Sequence, residues 1–244
     1  MMSVKAMVFV DGSWIKRCQG HIAWKFNASH YAFDYDAIIS LIQTHITACL
    51  NCEAQVMKKF FFASRAVNKP DHDANQEEQL YRTLQQQYFT TKIYNLNFYH
   101  DANNKRQEKC VDTGLVAEAL YYAAIPNSFD IAALVVGDQD YLPLVEKLHQ
   151  LGRQTMIATF GSIGSMNVTY KRFTSDPSIG DLPPLLLENY LTEIKATQYE
   201  AIRTCKDCGK KELTTFAGVD FYCNKHLSKN NNGSKEANHS TVKK

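Results

Sequence analysis

Four aspartates of this chain stand where an α/β sheet would present them to a ligand. Asp11 closes the apolar run of residues 4–10, and Asp138 and Asp140 follow the apolar run of residues 130–136. Asp112 opens a helical stretch after the polar segment 100–109. In open parallel sheets ligands bind beyond the carboxyl ends of the strands, where the strand order reverses. Asp11 and Asp138 meet there if their strands are neighbours. Carboxylates gathered at one point repel one another unless a cation holds them, and an all-oxygen donor set suits Mg2+ or Mn2+. Such a site activates water and stabilises charge on a phosphodiester, so the chemistry it favours is metal-dependent phosphodiester hydrolysis.

Each acid also has an ordinary reading. Asp11-Gly12 fits a plain turn. Asp140 fits a helix N-cap with Pro143 in the first turn. Asp112 fits a first-turn acid favoured by the helix dipole. At roughly 100° per residue, however, Leu115, Val116, Ala119 and Ala123 cluster about the direction of Asp112, which puts it on the apolar stripe of its helix. A charge there is paired, protonated or cation-bound. Glu118 points away from that stripe and is read as solvated.

A second constellation is Cys205, Cys208, Cys223 and His226, spaced C-x2-C-x14-C-x2-H. Two knuckles at this spacing match a tetrahedral structural Zn2+ site, and four protein ligands leave no open catalytic position. So short a segment has no core of its own, and the metal would supply its folding energy. Residues 212–223 read as a hairpin turning at Ala217-Gly218. Cys49 and Cys52 form another C-x2-C with no second pair nearby, at a helix end, and are read as buried thiols. His45 shares that apolar face and reads as a core or edge histidine.

The elements that must position these residues follow from periodicity. Strands are expected at 4–10, 54–63, 92–99, 130–136 and 154–160. Helices are expected at 34–50, with Asp34 or Asp36 as N-cap, and near 74–88, 110–124, 141–151 and 183–196. Gly152 is the stop of the fourth helix. Strands alternate with helices, and the inner strands are apolar on both faces. That pattern specifies an α/β fold with a mostly parallel central sheet. The boundaries expected are 1–196 for this domain, 197–227 for the zinc ribbon, and 228–244 for a disordered tail with Val242 as its one large apolar residue.

The 244 residues carry a formal charge of +2, which marks no general polyanion binder. The charge is unevenly divided: residues 203–244 carry +5 and residues 1–202 carry −3. A basic ribbon and tail joined to an acidic metal site suits a polyanionic substrate, and ordinary solvation of a polar tail is the other reading. No apolar stretch approaches the ~20 residues of a membrane span. The N-terminal apolar run is too short for a signal peptide. Seven cysteines, an odd number, argue against a closed disulfide framework. A cytoplasmic protein is expected.

Three blocks, in order, resemble the NYN domains, PIN-like nucleases that include the LabA group. They are VFVDGSW at 8–14, KCVDTGLVAEAL at 109–120 and DIAALVVGDQDYLPLVEKLHQLGRQTMIATF at 130–160. The last carries the motif Gly-Asp-x-Asp-[Phe/Tyr]. The resemblance implies a Rossmann-like, PIN-type three-layer fold and a Mg2+ or Mn2+ ribonuclease site at Asp11, Asp112, Asp138 and Asp140. Departures from the pattern are Trp14 in place of Asn, Cys110 in place of Gly, Glu118 in place of Asp, and Val136 in place of Ser.

The expected partner is RNA, single-stranded or structured; DNA shares the phosphodiester and stays open, as does a homo-oligomer. Ser13, Trp14, Lys105, Arg106, Lys109, Lys210 and Lys211 are the substrate-binding candidates, with less support for Lys171 and Arg172. Trp14 either stacks on a base or packs as an aromatic of the first helix. A catalytically inactive RNA- or protein-binding module of the same fold is the alternative function. Phosphatase and dinucleotide-binding readings fail: Ser13 stands where Asp-x-Asp is needed, and no Gly-x-Gly-x-x-Gly follows strand 1.

Overall fold

The computed structural model describes residues 3–25, 31–66, 73–96, 110–161, 180–196, 201–214, 222–223 and 225–226. Packing divides the chain into two compact units, 1–18 with 34–194, and 19–33 with 195–244.

The first unit is built on a six-stranded sheet: β1 (Ser3–Asp11), β2 (Glu53–Ala66), β3 (Phe89–Leu96), β4 (Ile131–Val135), β5 (Gln154–Thr159) and β6 (Leu185–Leu186). Its order is β3-β2-β1-β4-β5-β6, and every pairing is parallel. The order reverses between β1 and β4, the position at which such sheets bind ligands. Those strands are the apolar runs that the sequence marks as buried on both faces, and Ala6–Asp11 and Ile131–Val135 are buried throughout.

Helices cover both faces: α1 (Gly12–Lys25), α2 (Tyr35–Leu50), α3 (Asp73–Gln86), α4 (Val111–Ala124) and α5 (Leu142–Gln150). Side chains alternate along a strand, so Met7, Phe9 and Asp11 share one face of β1. Met7 and Phe9 pack there with Phe60 and Phe62 of β2, Leu115, Ala119 and Ala123 of α4, and Leu144, Val145 and Leu148 of α5. On the opposite face Phe61 meets the rings of Tyr35 and Tyr81, from α2 and α3. A register shift at Ala6/Met7 skips Met57 of β2, after which Phe9 lies opposite Phe60 with the rings stacked at 5.2 Å. A one-residue slip exchanges the two faces of a strand, so this bulge lets the two phenylalanines share a face.

Several element ends differ from expectation. Asp11-Gly12 is not a turn: α1 starts at once. β3 lies at Phe89–Leu96, earlier than the expected 92–99, because Tyr88 turns the chain in the left-handed region (φ 61°). The expected helix at 183–196 is instead the short strand β6 and a 3-10 turn, Leu187–Tyr190. Pro183 and Pro184 remove two backbone donors there, and Leu185-Leu186 pairs with the edge of β5. Asp34 is the N-cap of α2, accepting from the Ala37 amide at 3.1 Å. Cys49 is exposed and Cys52 half-buried, so they are not core thiols. His45 is half-buried and bonds the Pro183 carbonyl at 2.8 Å. Among the described residues no helix is long and apolar enough to cross a membrane.

In the second unit β7 (Ala201–Thr204) and β8 (Lys211–Thr214) form an antiparallel hairpin around Cys205 and Cys208. The expected turn at Ala217-Gly218 lies outside the described residues.

Candidate functional site

Asp11 occupies the last position of β1, on the face that α4 and α5 cover. It is 2% exposed. The backbone delivers it there without slack, because α1 begins at the next residue. Gly12 permits this: a Cβ at that position would run into the Phe61 ring and the Phe62 carbonyl. Asp11 Oδ1 accepts from the Trp14 amide at 2.9 Å, in the manner of an N-cap. Burial pushes its carboxyl up to about 6 from 3.8; the neighbouring Asp112 adds to the rise, while the Trp14 amide, Arg17 and the Tyr141 hydroxyl oppose it.

Asp112 comes from the first turn of α4, where an acid is favoured by the helix dipole. Cys110, the N-cap, is in the left-handed region (φ 79°) and gives no side-chain cap. Of the stripe, Leu115, Ala119 and Ala123 are buried and Val116 is half-buried, but Asp112 itself is exposed at the stripe's end. Gly114, two residues on, sits against the Tyr94 ring of β3 where no Cβ would fit. Glu118 is half-buried and pairs with Lys92 at 3.6 Å, so it is not simply solvated.

The link between the two acids is Tyr141. Its hydroxyl lies 3.1 Å from Asp11 Oδ2 and 2.9 Å from Asp112 Oδ1. Asp11 and Asp112 are thus joined through one oxygen, although 130 residues separate Asp11 from the tyrosine. Tyr141 ends the 3-10 turn Gln139–Tyr141 and is the N-cap residue of α5. Its ring is 1% exposed in the core, and burial, with two acids nearby, pushes the phenol upward. Residue-by-residue reading missed it as a site residue. The one signal was its place in Gly-Asp-Gln-Asp-Tyr, and an aromatic there also reads as core.

Asp138 and Asp140 are exposed on the segment after β4, the strand next to β1. Asp138 Oδ1 accepts from the Asp140 amide at 3.2 Å, so Asp138 caps this turn, and the N-cap residue of α5 is Tyr141 where the ordinary reading of Asp140 put that acid. Among the described residues, no three of the four aspartates form a group close enough to hold one ion.

Ser13 is half-buried, and its hydroxyl accepts from the Ser64 amide of β2 at 3.4 Å. Trp14 is 4% exposed, with its ring 5.7 Å from that of Phe160 and its indole Nε1 buried without a hydrogen-bond partner among the described residues. A buried indole offers no face to a base, so the packing alternative holds for Trp14. Lys105, Arg106, Lys109, Lys171 and Arg172 lie outside the described residues. Lys210 and Lys211 are exposed beside the first cysteine pair.

Cys205, Cys208, Cys223 and His226 converge, with their ligand atoms all within 4.8 Å of one another. Cys205 Sγ and Cys223 Sγ lie 3.7 and 3.3 Å from His226 Nδ1, and Cys208 Sγ lies 3.7 Å from Cys223 Sγ. A tetrahedron with Zn–S of about 2.3 Å and Zn–N of about 2.0 Å has edges of roughly 3.5–3.8 Å. The cluster could therefore hold zinc, through Nδ1 of the histidine. Gly209, at φ 70°, turns the knuckle and donates its amide to the Cys205 carbonyl at 2.9 Å. Against desolvation, which raises it, backbone N–H groups of Cys223, Cys208 and Asp207 and the His226 side chain draw the Cys205 thiol down to about 6. Burial and the neighbouring thiols push Cys223 the other way. Crowded thiols cannot all ionise unless a cation compensates them.

The NYN domain family matches residues 5–176. A crystal structure of a protein of unknown function from Vibrio parahaemolyticus is similar, with a TM-score of 0.51 and 15% identity, covering 79% of this chain and 96% of that one. At that identity the likeness concerns the fold. No curated protein matches the sequence.

Proposed function

The chain belongs to the NYN domain family, and from that premise we propose that it is a Mg2+- or Mn2+-dependent ribonuclease acting at the carboxyl ends of β1 and β4. NYN domains are generally nucleases, and the fold is PIN-like. The observation that carries the reading is the convergence of Asp11 and Asp112 on the Tyr141 hydroxyl at the point where the strand order reverses.

The donors fit a hard cation, being carboxylate oxygens only. Asp11 is a buried acid whose proton is held up to about 6 mainly by burial, and a cation beside its carboxylate would offset that cost. Asp11 and Asp112 would hold the ion. Asp138 and Asp140, exposed at the rim, would hold it through water or orient the attacking water. When bound, the ion supplies an ionised water at neutral pH and neutralises charge on the phosphoryl oxygens. Water would attack phosphorus directly as the P–O bond to the leaving oxygen breaks, that oxygen taking up a proton from water, with no covalent enzyme intermediate. Because Asp11 is fixed by the Trp14 amide and by its burial, its oxygens need no reorganisation during the reaction.

The Cys205, Cys208, Cys223 and His226 set is assigned to structural Zn2+, which would secure the β7–β8 hairpin. Lys210 and Lys211 on that module are assigned to phosphate contacts with RNA. We assign the protein to the cytoplasm, where thiol ligands stay reduced.

The alternative, a catalytically inactive RNA- or protein-binding module, draws on the absence of a three-carboxylate group among the described residues. The test is cleavage of single-stranded and structured RNA in Mn2+ by the wild type and by Asp138→Asn. Asparagine caps as well as aspartate does, so the turn stays and only the charge is lost. Cleavage that falls at least a hundredfold supports the assignment; equal cleavage refutes it. Tight RNA binding with no turnover in any divalent metal supports the alternative, and faster cleavage of DNA of the same sequence would replace RNA as the substrate.

A further inference from the structure

Asp11 and Asp112 carry the reading above, but the residue that joins them has no role in it. We propose that Tyr141 is a positioning residue: its hydroxyl holds the Asp112 carboxylate against Asp11, so that both are presented together to an incoming cation. The inference rests on the reading of this site as a divalent-metal centre.

Two features make the phenol suited to this. Its oxygen is placed by packing, since the ring is fully buried as part of the core cluster to which α4 and α5 contribute. The phenol carries one proton and donates it to one carboxylate at a time, and that bond is made by a group that is already fixed. The two acids also depend on it unequally. Asp11 is buried and anchored by the Trp14 amide on its other oxygen. Asp112 is exposed, and among the described residues Tyr141 is the one hydrogen-bond partner of its carboxylate.

Without the hydroxyl, an aspartate on a helix surface has more than one rotamer open to it. Repulsion from Asp11 would favour those that point to solvent. The cation would then have to draw Asp112 back, at a cost in affinity. With the hydroxyl in place that ordering precedes binding, which is the general advantage of a preorganised site.

The test is Tyr141→Phe, which keeps the ring and removes one oxygen. Mn2+ is titrated calorimetrically into the full-length, zinc-loaded wild type and variant, and the Mn2+ dependence of RNA cleavage is measured in parallel. The expected result is a Kd for Mn2+ raised about tenfold or more. The Mn2+ concentration for half-maximal cleavage should rise by the same factor, with kcat at saturating Mn2+ nearly unchanged. Adding Tyr141→Phe to Asp112→Asn should have little further effect, because the tyrosine acts through Asp112. An unchanged or lower Kd in the Phe variant, with the wild type binding Mn2+ normally, overturns this inference alone. No Mn2+ binding by the wild type overturns the metal-centre reading with it. Loss of the fold in the Phe variant overturns the inference too, since the ring and not the oxygen is held to place the residue.

Discussion

Replacing Asp11 by asparagine should stabilise the protein at neutral pH in the absence of divalent cations. Asp11 is 2% exposed, and its carboxyl is pushed up to about 6 from 3.8, mainly by burial. The folded state thus holds the proton more tightly than the unfolded chain does. Linkage then gives the sign: stability from this group is fully present below about pH 4, falls as pH rises, and is lost above about pH 6. The displacement corresponds to about 3 kcal/mol at pH 7. Asparagine does not titrate, keeps an oxygen for the Trp14 amide, and can donate to the Tyr141 oxygen. In a domain of this size 1 kcal/mol shifts Tm by about 2–4 °C. The variant should therefore melt about 6–12 °C above the wild type at pH 7.5, with the gap closing by pH 4.

The assay is thermal unfolding of both proteins at half-unit steps from pH 4 to 7.5. Mg2+ and Mn2+ are removed by dialysis, so that no chelator strips the cysteine cluster. Taking the difference between the two proteins cancels the other titrating groups. Added Mn2+ should raise the wild-type Tm at pH 7.5 and leave the variant unchanged. Parallel Tm–pH curves would refute the argument, because they would mean that Asp11 titrates alike folded and unfolded.

Two further outcomes follow. Purified protein should carry about one zinc per chain, and Cys205→Ser/Cys208→Ser should lose it by metal analysis. Unchanged zinc would refute the ligand set. Arg153 donates to the carbonyls of Ala123, Ile125 and Phe129 at 2.6–3.1 Å and lies over the Phe129 ring, satisfying the end of α4. Arg153→Ala should cost about 2–4 kcal/mol, measured by urea unfolding, and a loss within 0.5 kcal/mol would show that water replaces the guanidinium there.

Strand runs were the most legible part of the sequence, because a parallel strand buried on both faces is an unbroken apolar run. Ile131–Val135 and Ala6–Val10 sit where their composition puts them. The helix expected at 183–196 failed for a tertiary reason: Leu185-Leu186 is apolar enough for a helix, but an open strand edge captures it. The Cys/His cluster was legible because knuckle spacing is local, and all four candidate ligand atoms converge. The acidic site was only half legible. Asp11 and Asp112 were marked by position, but the Tyr141 contact depends on how α5 docks against α4 and β1, which no local pattern encodes. Likewise the Asp112 stripe was correct for Leu115 and Ala119 but did not reveal that the stripe ends at the protein surface.

The separation between Asp11 and Tyr141 also bears on how the protein is made. During synthesis Asp11 emerges first, Asp112 a hundred residues later, and the tyrosine that joins them later still. β1 cannot pair with β4 until Ile131–Val135 has been translated, and sheets built from such distant strands assemble slowly. A nascent chain that has not yet presented Tyr141 therefore has no linked acids at this rim. An unfinished copy, surrounded by messenger and ribosomal RNA, lacks the joined pair until its sheet has closed.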